Sequence, residues 1–190
     1  MFDISSRLVV VSGPAGVGKD TVVAKLLEKD ESFSLSVSAT TRAPRGEEKH
    51  GVNYYYFSTE EFLAKVENDE FIEHAQYGVN RYGTLKSEMQ RIWAKGNIII
   101  FDVDVMGGIS LKRIFGENAC SIFIQAPSVE ALRERLIGRG TDSMETIEKR
   151  VAKAEFELSK APEFDHIVVN DDLATAVENT KLIINSFLAQ

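Results

Sequence analysis

The chain has 190 residues, enough for one domain with a sizeable core, and its 44% hydrophobic and 27% charged residues mark a globular rather than a disordered protein. A formal net charge of −7 excludes general affinity for nucleic acid or an anionic membrane surface, which reward a basic face, but leaves room for a local anion pocket. The single cysteine, Cys120, excludes a disulfide framework within the chain and, in its apolar stretch, reads as a buried thiol.

From the N-terminus, Met-Phe-Asp-Ile-Ser-Ser-Arg lacks the basic region and apolar run of a secretory leader, and no run approaches the ~20 apolar residues that span a bilayer. A cytoplasmic protein is expected. Residues 8–12, Leu-Val-Val-Val-Ser, predict a buried strand running into glycines, and 20–29 a helix with Val22, Val23, Leu26 and Leu27 on one face. Residues 34–38 predict a short exposed strand, 39–51 a polar, basic, turn-rich stretch, and 54–57 an aromatic strand. Thr59 is expected to cap a helix over 60–68; 71–77 reads as a strand and 84–95 as a helix closed by Gly96. Strands at 98–101, 121–124 and 167–169 then alternate with helices at 107–115, 129–136, 145–158 and 173–188. Alternation of this kind implies an α/β fold with a central parallel sheet. The stretch 34–82 interrupts it as an inserted β-rich lobe.

The segment Gly13-Pro14-Ala15-Gly16-Val17-Gly18-Lys19-Asp20-Thr21 follows a strand and opens a helix, the setting of a phosphate-binding loop. Its glycines allow successive N–H groups to point at phosphate oxygens, the helix start adds partial positive charge, and Lys19 reaches the β- and γ-phosphates. The residue after the lysine is ordinarily a hydroxyl that ligates Mg²⁺; here it is Asp20, followed by Thr21. Asp20 has two readings: a hard oxygen donor in the metal shell, or an outward-turned acid of the first helical turn. Asp102, at the end of an apolar strand, is the second candidate for the Mg²⁺ shell. On the other side of the lobe, Arg42 and Arg45 in Ser38-Ala-Thr-Thr-Arg-Ala-Pro-Arg45 offer planar donors for a phosphate dianion, with Tyr54 and Tyr82 as further donors. Taken alone, such a loop is also an ordinary basic surface.

These stretches, together with Gly51-Val-Asn-Tyr-Tyr55, Glu70-Phe-Ile-Glu73, Tyr82-Gly-Thr84, Asp102-Val-Asp104 and Arg139-Gly-Thr141, resemble guanylate kinase in order and spacing from about Arg7 to Asp172. The resemblance implies a P-loop kinase three-layer fold in one domain. Its core would comprise about 1–33, 84–125 and 161–190, its GMP-binding lobe about 34–83 and its helical lid about 126–160. It implies transfer of the γ-phosphoryl of ATP to GMP, and to dGMP, giving ADP and GDP in purine nucleotide metabolism. ATP would be the co-substrate, Mg²⁺ the cofactor, and the protein a monomer or small homo-oligomer without nucleic-acid or membrane partners. Arg42, Arg45, Tyr54 and Tyr82 would hold the GMP phosphate, and Ser38, Glu73, Thr84 and Asp104 would surround the guanine. A carboxylate at Glu73 suits guanine, which offers N1–H and an exocyclic N–H₂ side by side, whereas adenine presents an acceptor at N1. Lys19, Arg42, Arg139 and Arg150 would neutralise charge during transfer. Arg135 and Asn170 would join the ATP side, Arg135 being also readable as a helix-surface charge.

Three positions depart from the family pattern: Asp20, Met106 where Gln is usual, and Arg81 where a tyrosine is usual. The Gly-Lys-Asp sequence also resembles sister kinases that phosphorylate ribose 1,5-bisphosphate, and a phosphopeptide-binding module without catalysis is the alternative from another class. The arginine loop, Tyr54 and Glu73 favour a guanine nucleotide over the first; the intact glycine loop and Lys19 favour an enzyme over the second. His50, His74 and His166 lack metal-ligand spacing, and Trp93 reads as a packing residue.

Overall fold

The computed structural model describes residues 6–138, 140 and 143–190. Five parallel strands form the central sheet: β1 (Leu8–Ser12), β2 (Phe33–Leu35), β7 (Ile98–Asp102), β8 (Ala119–Gln125) and β9 (His166–Val169), in the order β2-β7-β1-β8-β9. A second, four-stranded sheet in the order β4-β3-β6-β5 is built from β3 (Ala39–Thr40), β4 (Tyr55–Tyr56), β5 (Phe71–Tyr77) and β6 (Asn80–Leu85). The helices are α1 (Lys19–Lys29), α2 (Thr59–Glu67), α3 (Lys86–Trp93), α4 (Val105–Phe115), α5 (Val129–Gly138), α6 (Met144–Leu158) and α7 (Leu173–Leu188).

Strand parity divides the central sheet between two apolar layers. Val9 and Val11 of β1, with Ile100 and Ile122, face Val22, Val23 and Leu26 of α1 and Val177 and Ile184 of α7. Leu8 and Val10, with Ile99 and Phe101, face Met89 and Ile92 of α3 and Leu111 and Phe115 of α4. Helices therefore cover both faces of a sheet whose interior strands are predominantly apolar. Cys120 is buried in the first layer, and burial pushes its thiol up to about 12. The small sheet has its own core of Phe62, Phe71, Leu85 and Ala39, with the Phe62 and Phe71 rings stacked at 4.4 Å. Among the described residues, no helix is long and apolar enough to cross a membrane.

Three readings of the sequence are corrected. Residues 84–95 are not one helix: Thr84 and Leu85 end β6, and α3 starts at Lys86. The cap of α2 is Ser58, not Thr59; Ser58 accepts from the Glu61 amide while the Glu61 carboxylate accepts from the Ser58 amide. Ser34 and Leu35 belong to the central sheet, pairing with Ile99 and Ile100, so the small sheet begins after residue 35 and extends through 85. Strand β5 matches its predicted bounds, and so does α7.

Candidate active site

Strand β1 ends at Ser12, and the chain turns through 13–18 into α1. Gly18 caps that helix with φ +85°, and a Cβ there would lie 2.6 Å from Asn170 Nδ2. Gly13 holds φ +150°, and a Cβ would meet the Ile124 carbonyl oxygen at 2.1 Å. Both positions require glycine. Pro14 and Val17 are buried, Ala15 is exposed and Gly16 lies between. Asn170, buried beyond β9, donates its amide N–H to the Val17 carbonyl at 2.7 Å, and Arg135 of α5 donates to the Asn170 carbonyl at 2.9 Å. The two residues expected on the ATP side thus brace the back of the glycine loop.

Lys19 stands at the loop's exit. Its Nζ lies 2.5 Å from Asp102 Oδ1, at the end of the neighbouring strand β7, and 2.8 Å from Asp20 Oδ1. Burial lowers the proton affinity of this ammonium, but Asp102 and then Asp20 outweigh burial and hold its pKa above the ordinary lysine value. Asp20 is 83% exposed at its side chain, yet it curls onto Lys19. Thr21 is exposed in the first turn of α1. Asp20 and Asp102 are hard oxygen donors sharing one cation, a donor set compatible with Mg²⁺.

The same cavity, of about 350 Å³, reaches from Lys19 and Asp102 to the small sheet, where Ser38, Tyr54, Glu73 and Tyr82 line it. A bulge in β5 aims Glu73 there. Phe71 pairs with Leu85 and Glu73 with Thr84, so two residues of β5 advance against one of β6. Phe71 consequently shares a face with His74 against Phe62, while Glu73, Ala75 and Tyr77 turn together to the cavity. Thr84 Oγ1 donates to Glu73 Oε1 at 2.7 Å. Burial raises the Glu73 carboxyl to about 7, the Thr84 hydroxyl pulling the other way and the Asp104 charge adding to the rise.

Arg42 is held by Glu48, Ala43 and the rings of Tyr54 and Tyr56. Nη1 and Nη2 fork onto the Glu48 carboxylate at 2.9 and 3.1 Å, Nη1 also donates to the Ala43 carbonyl at 2.8 Å, and the guanidinium sits 5.2 Å over the Tyr54 ring. Among the described residues nothing accepts from Nε–H or from the second Nη2–H. One bidentate edge of Arg42 is therefore available to an oxyanion. The fork, the Arg45 amide and the Tyr56 hydroxyl hold Glu48 down to about 2. Arg45 itself is exposed.

Asp104 caps α4, its Oδ1 accepting from the Met106 and Gly107 amides, and also lines the cavity. Arg150 is half-buried in α6, and Arg139 lies outside the described residues. Met106 is 43% exposed; Arg81 donates its amide to Thr41 Oγ1 and its carbonyl accepts from Thr40. Sequence reasoning missed Glu48, Tyr77, Lys153 and Glu157, the last three of which line the cavity. Strand periodicity from Glu73 would have found Tyr77, and helix periodicity from Arg150 would have found Lys153 and Glu157. Among the described residues no group of three or more His, Cys, Asp or Glu side chains has metal-binding geometry.

A family model described as guanylate kinase matches residues 5–187. A guanylate kinase of Porphyromonas gingivalis is 49% identical over 187 residues, covering 97% of this chain and 100% of its own. One of Bacteroides fragilis is 47% identical over 184 residues, covering 96% of this chain and 90% of its own. The crystal structure of guanylate kinase from Anaplasma phagocytophilum superposes with a TM-score of 0.76 at 32% identity, covering 97% of this chain and 87% of that one.

The raised Glu73 carboxyl has a signature in the free protein. A carboxyl whose folded pKa lies above its unfolded value of 4.5 keeps its proton longer when folded. Stability therefore declines as pH rises from about 4.5 through about 7. Glu73→Gln keeps an acceptor for Thr84 and removes this decline. The variant is expected to match wild type near pH 4.5 and to exceed it at pH 8 by on the order of 2 kcal/mol, several degrees in Tm. Thermal unfolding at a series of pH values checks this; parallel curves would show that Glu73 ionises normally.

Proposed function

We propose that the chain, which belongs to the guanylate kinase family and is an ATP:GMP phosphotransferase giving ADP and GDP, works its two substrates from opposite ends of one shared cavity. The observation that carries this division is that Lys19 with Asp102, and Glu73 held by the buried Thr84, open onto one space. ATP phosphates lie against the loop amides of 13–18 and Lys19. The free edge of Arg42, with Arg45, Tyr54 and Tyr82, takes the GMP phosphate. Ser38, Glu73, Thr84 and Asp104 take the guanine. A non-bridging oxygen of the GMP phosphate attacks the γ-phosphorus of ATP, and the bond to the β-phosphate oxygen breaks to release ADP. No protein nucleophile is needed, so the residues align the two phosphates and neutralise their charge. Residues 126–160 act as the lid, carrying Arg139 and Arg150 toward that charge and excluding water. Asn170 acts from behind the loop through its bond to the Val17 carbonyl, and Arg135 supports it by donating to the Asn170 carbonyl.

Asp20 and Asp102 would hold Mg²⁺, directly or through water, once Lys19 has moved onto phosphate. The metal neutralises charge on the phosphoryl oxygens when bound. Titrating Mg²⁺ in an ADP-release assay tests the assignment: Asp20→Ser is expected to shift the Mg²⁺ requirement severalfold, and an unchanged titration would leave Asp20 as a partner of Lys19 only.

The substrate assignment is tested by ADP release from MgATP with GMP, dGMP, AMP, CMP, UMP and ribose 1,5-bisphosphate supplied separately. Turnover confined to GMP and dGMP is expected. Turnover with the ribose bisphosphate alone would mean that Asp20, not the guanine pocket, identifies the substrate.

A further inference from the structure

Tyr77 is the cavity residue that meets the core and the lid from the small sheet. Its hydroxyl donates to Asp104 Oδ1 at 2.7 Å, its ring meets Tyr82 edge-on at 6.1 Å, and Lys153 Nζ of α6 stands 5.9 Å over the ring. Asp104 Oδ1 thereby receives three donors: the Tyr77 hydroxyl and the Met106 and Gly107 amides. An oxygen so occupied has no capacity left for a ligand, which leaves Oδ2 as the accepting atom on the cavity side. The two amides belong to the core, and among the described residues only the Tyr77 hydroxyl hydrogen-bonds this carboxylate to the strand that also carries Glu73. The spacing between the two carboxylates that face the base is therefore set through Tyr77.

We propose that Tyr77 is a positioning residue for the acceptor base: it fixes Asp104 relative to Glu73 so that both carboxylates meet the guanine edge, with Oδ2 of Asp104 accepting from the exocyclic amino group. The inference rests on the guanine-pocket reading above. Burial and the bond to Asp104 push the Tyr77 phenol well above its ordinary range, so it stays a donor at every working pH. It moves no proton in the reaction.

The test uses the whole protein, with Tyr77→Phe, Asp104→Asn and the double variant compared in GMP, IMP and ATP kinetics. Phenylalanine keeps the ring contacts, and asparagine still caps α4. IMP lacks only the exocyclic amino group. Tyr77→Phe is expected to raise KM for GMP about 3–10-fold and to lower the GMP-over-IMP ratio of kcat/KM by a similar factor, with kcat and KM for ATP within about twofold. The double variant is expected to be no worse toward GMP than Asp104→Asn alone, because the hydroxyl acts through that carboxylate. An unchanged GMP-over-IMP ratio, equal rises in both KM values, or additive losses in the double variant would overturn the role, the last two marking a general structural effect. A wild-type enzyme indifferent between GMP and IMP would overturn the amino-group reading of the pocket and this role with it.

Discussion

A recessed ammonium is costly unless it is paired, and Lys19 meets that constraint with Asp102 at 2.5 Å and Asp20 at 2.8 Å. The arrangement depends on the sheet order. Because β1 and β7 are hydrogen-bonded neighbours, with Val11 opposite Asp102, the strand that feeds the glycine loop and the strand that ends in the acid finish side by side. Crevices at the carboxyl ends of parallel strands are where this class of sheet binds ligands. The apolar runs of β1 and β7, buried between helices on both faces, fix the relative height of Lys19 and Asp102. The two carboxylates keep the lysine charged and aimed.

The acceptor end answers a different constraint. On the proposed reading of the pocket, Glu73 has to be shielded enough to select a base and ionised enough to accept two N–H groups. The bulge in β5 turns it away from the Phe62–Phe71 core, Thr84 satisfies one oxygen, and the remaining acceptor capacity faces the cavity. Desolvation raises its pKa to about 7 in the free protein. Donation from N1–H and the exocyclic N–H₂ favours the charged form, so binding of the matching base offsets the cost of burial. A purine with an acceptor at N1 does not. Arg42 fits the same reading at the proposed phosphate end: Glu48 and Ala43 occupy one side of the guanidinium and leave a planar edge that suits a dianion.

Much of this was legible in the sequence, and the exceptions share physical causes. The bounds of β5 and α7 were legible from sequence, and the strand–glycine turn–helix order that suggests a phosphate loop is present as β1, 13–18 and α1. Strand β6 was missed because its residues, Asn-Arg-Tyr-Gly-Thr-Leu, show no apolar alternation; pairing with β3 and β5 makes them a strand. Ser58 and Thr59 are both plausible caps, and Glu61 decides between them by closing the reciprocal bond. Strand β2 looked like part of the lobe because only Phe33 is deeply buried, while its partner β7 is distant in sequence. Tyr77, Lys153 and Glu157 share strand and helix faces with Glu73 and Arg150, so periodicity alone makes them candidates; the cavity they line, with Lys153 over the Tyr77 ring, distinguishes them from ordinary strand and helix residues.

The central claim is that the Glu73 carboxylate, not the phosphate loop or the arginines, decides which nucleotide is phosphorylated. The most direct measurement is kcat/KM for GMP and for AMP in wild type and Glu73→Gln at pH 8, where the wild-type carboxyl is ionised. Wild type is expected to prefer GMP by ~10⁴ or more. The glutamine, which offers a donor where adenine presents an acceptor, is expected to collapse that preference by at least ~10² through both a loss with GMP and a gain with AMP. A preference that survives the substitution would contradict the account and move the discrimination to other residues of the pocket.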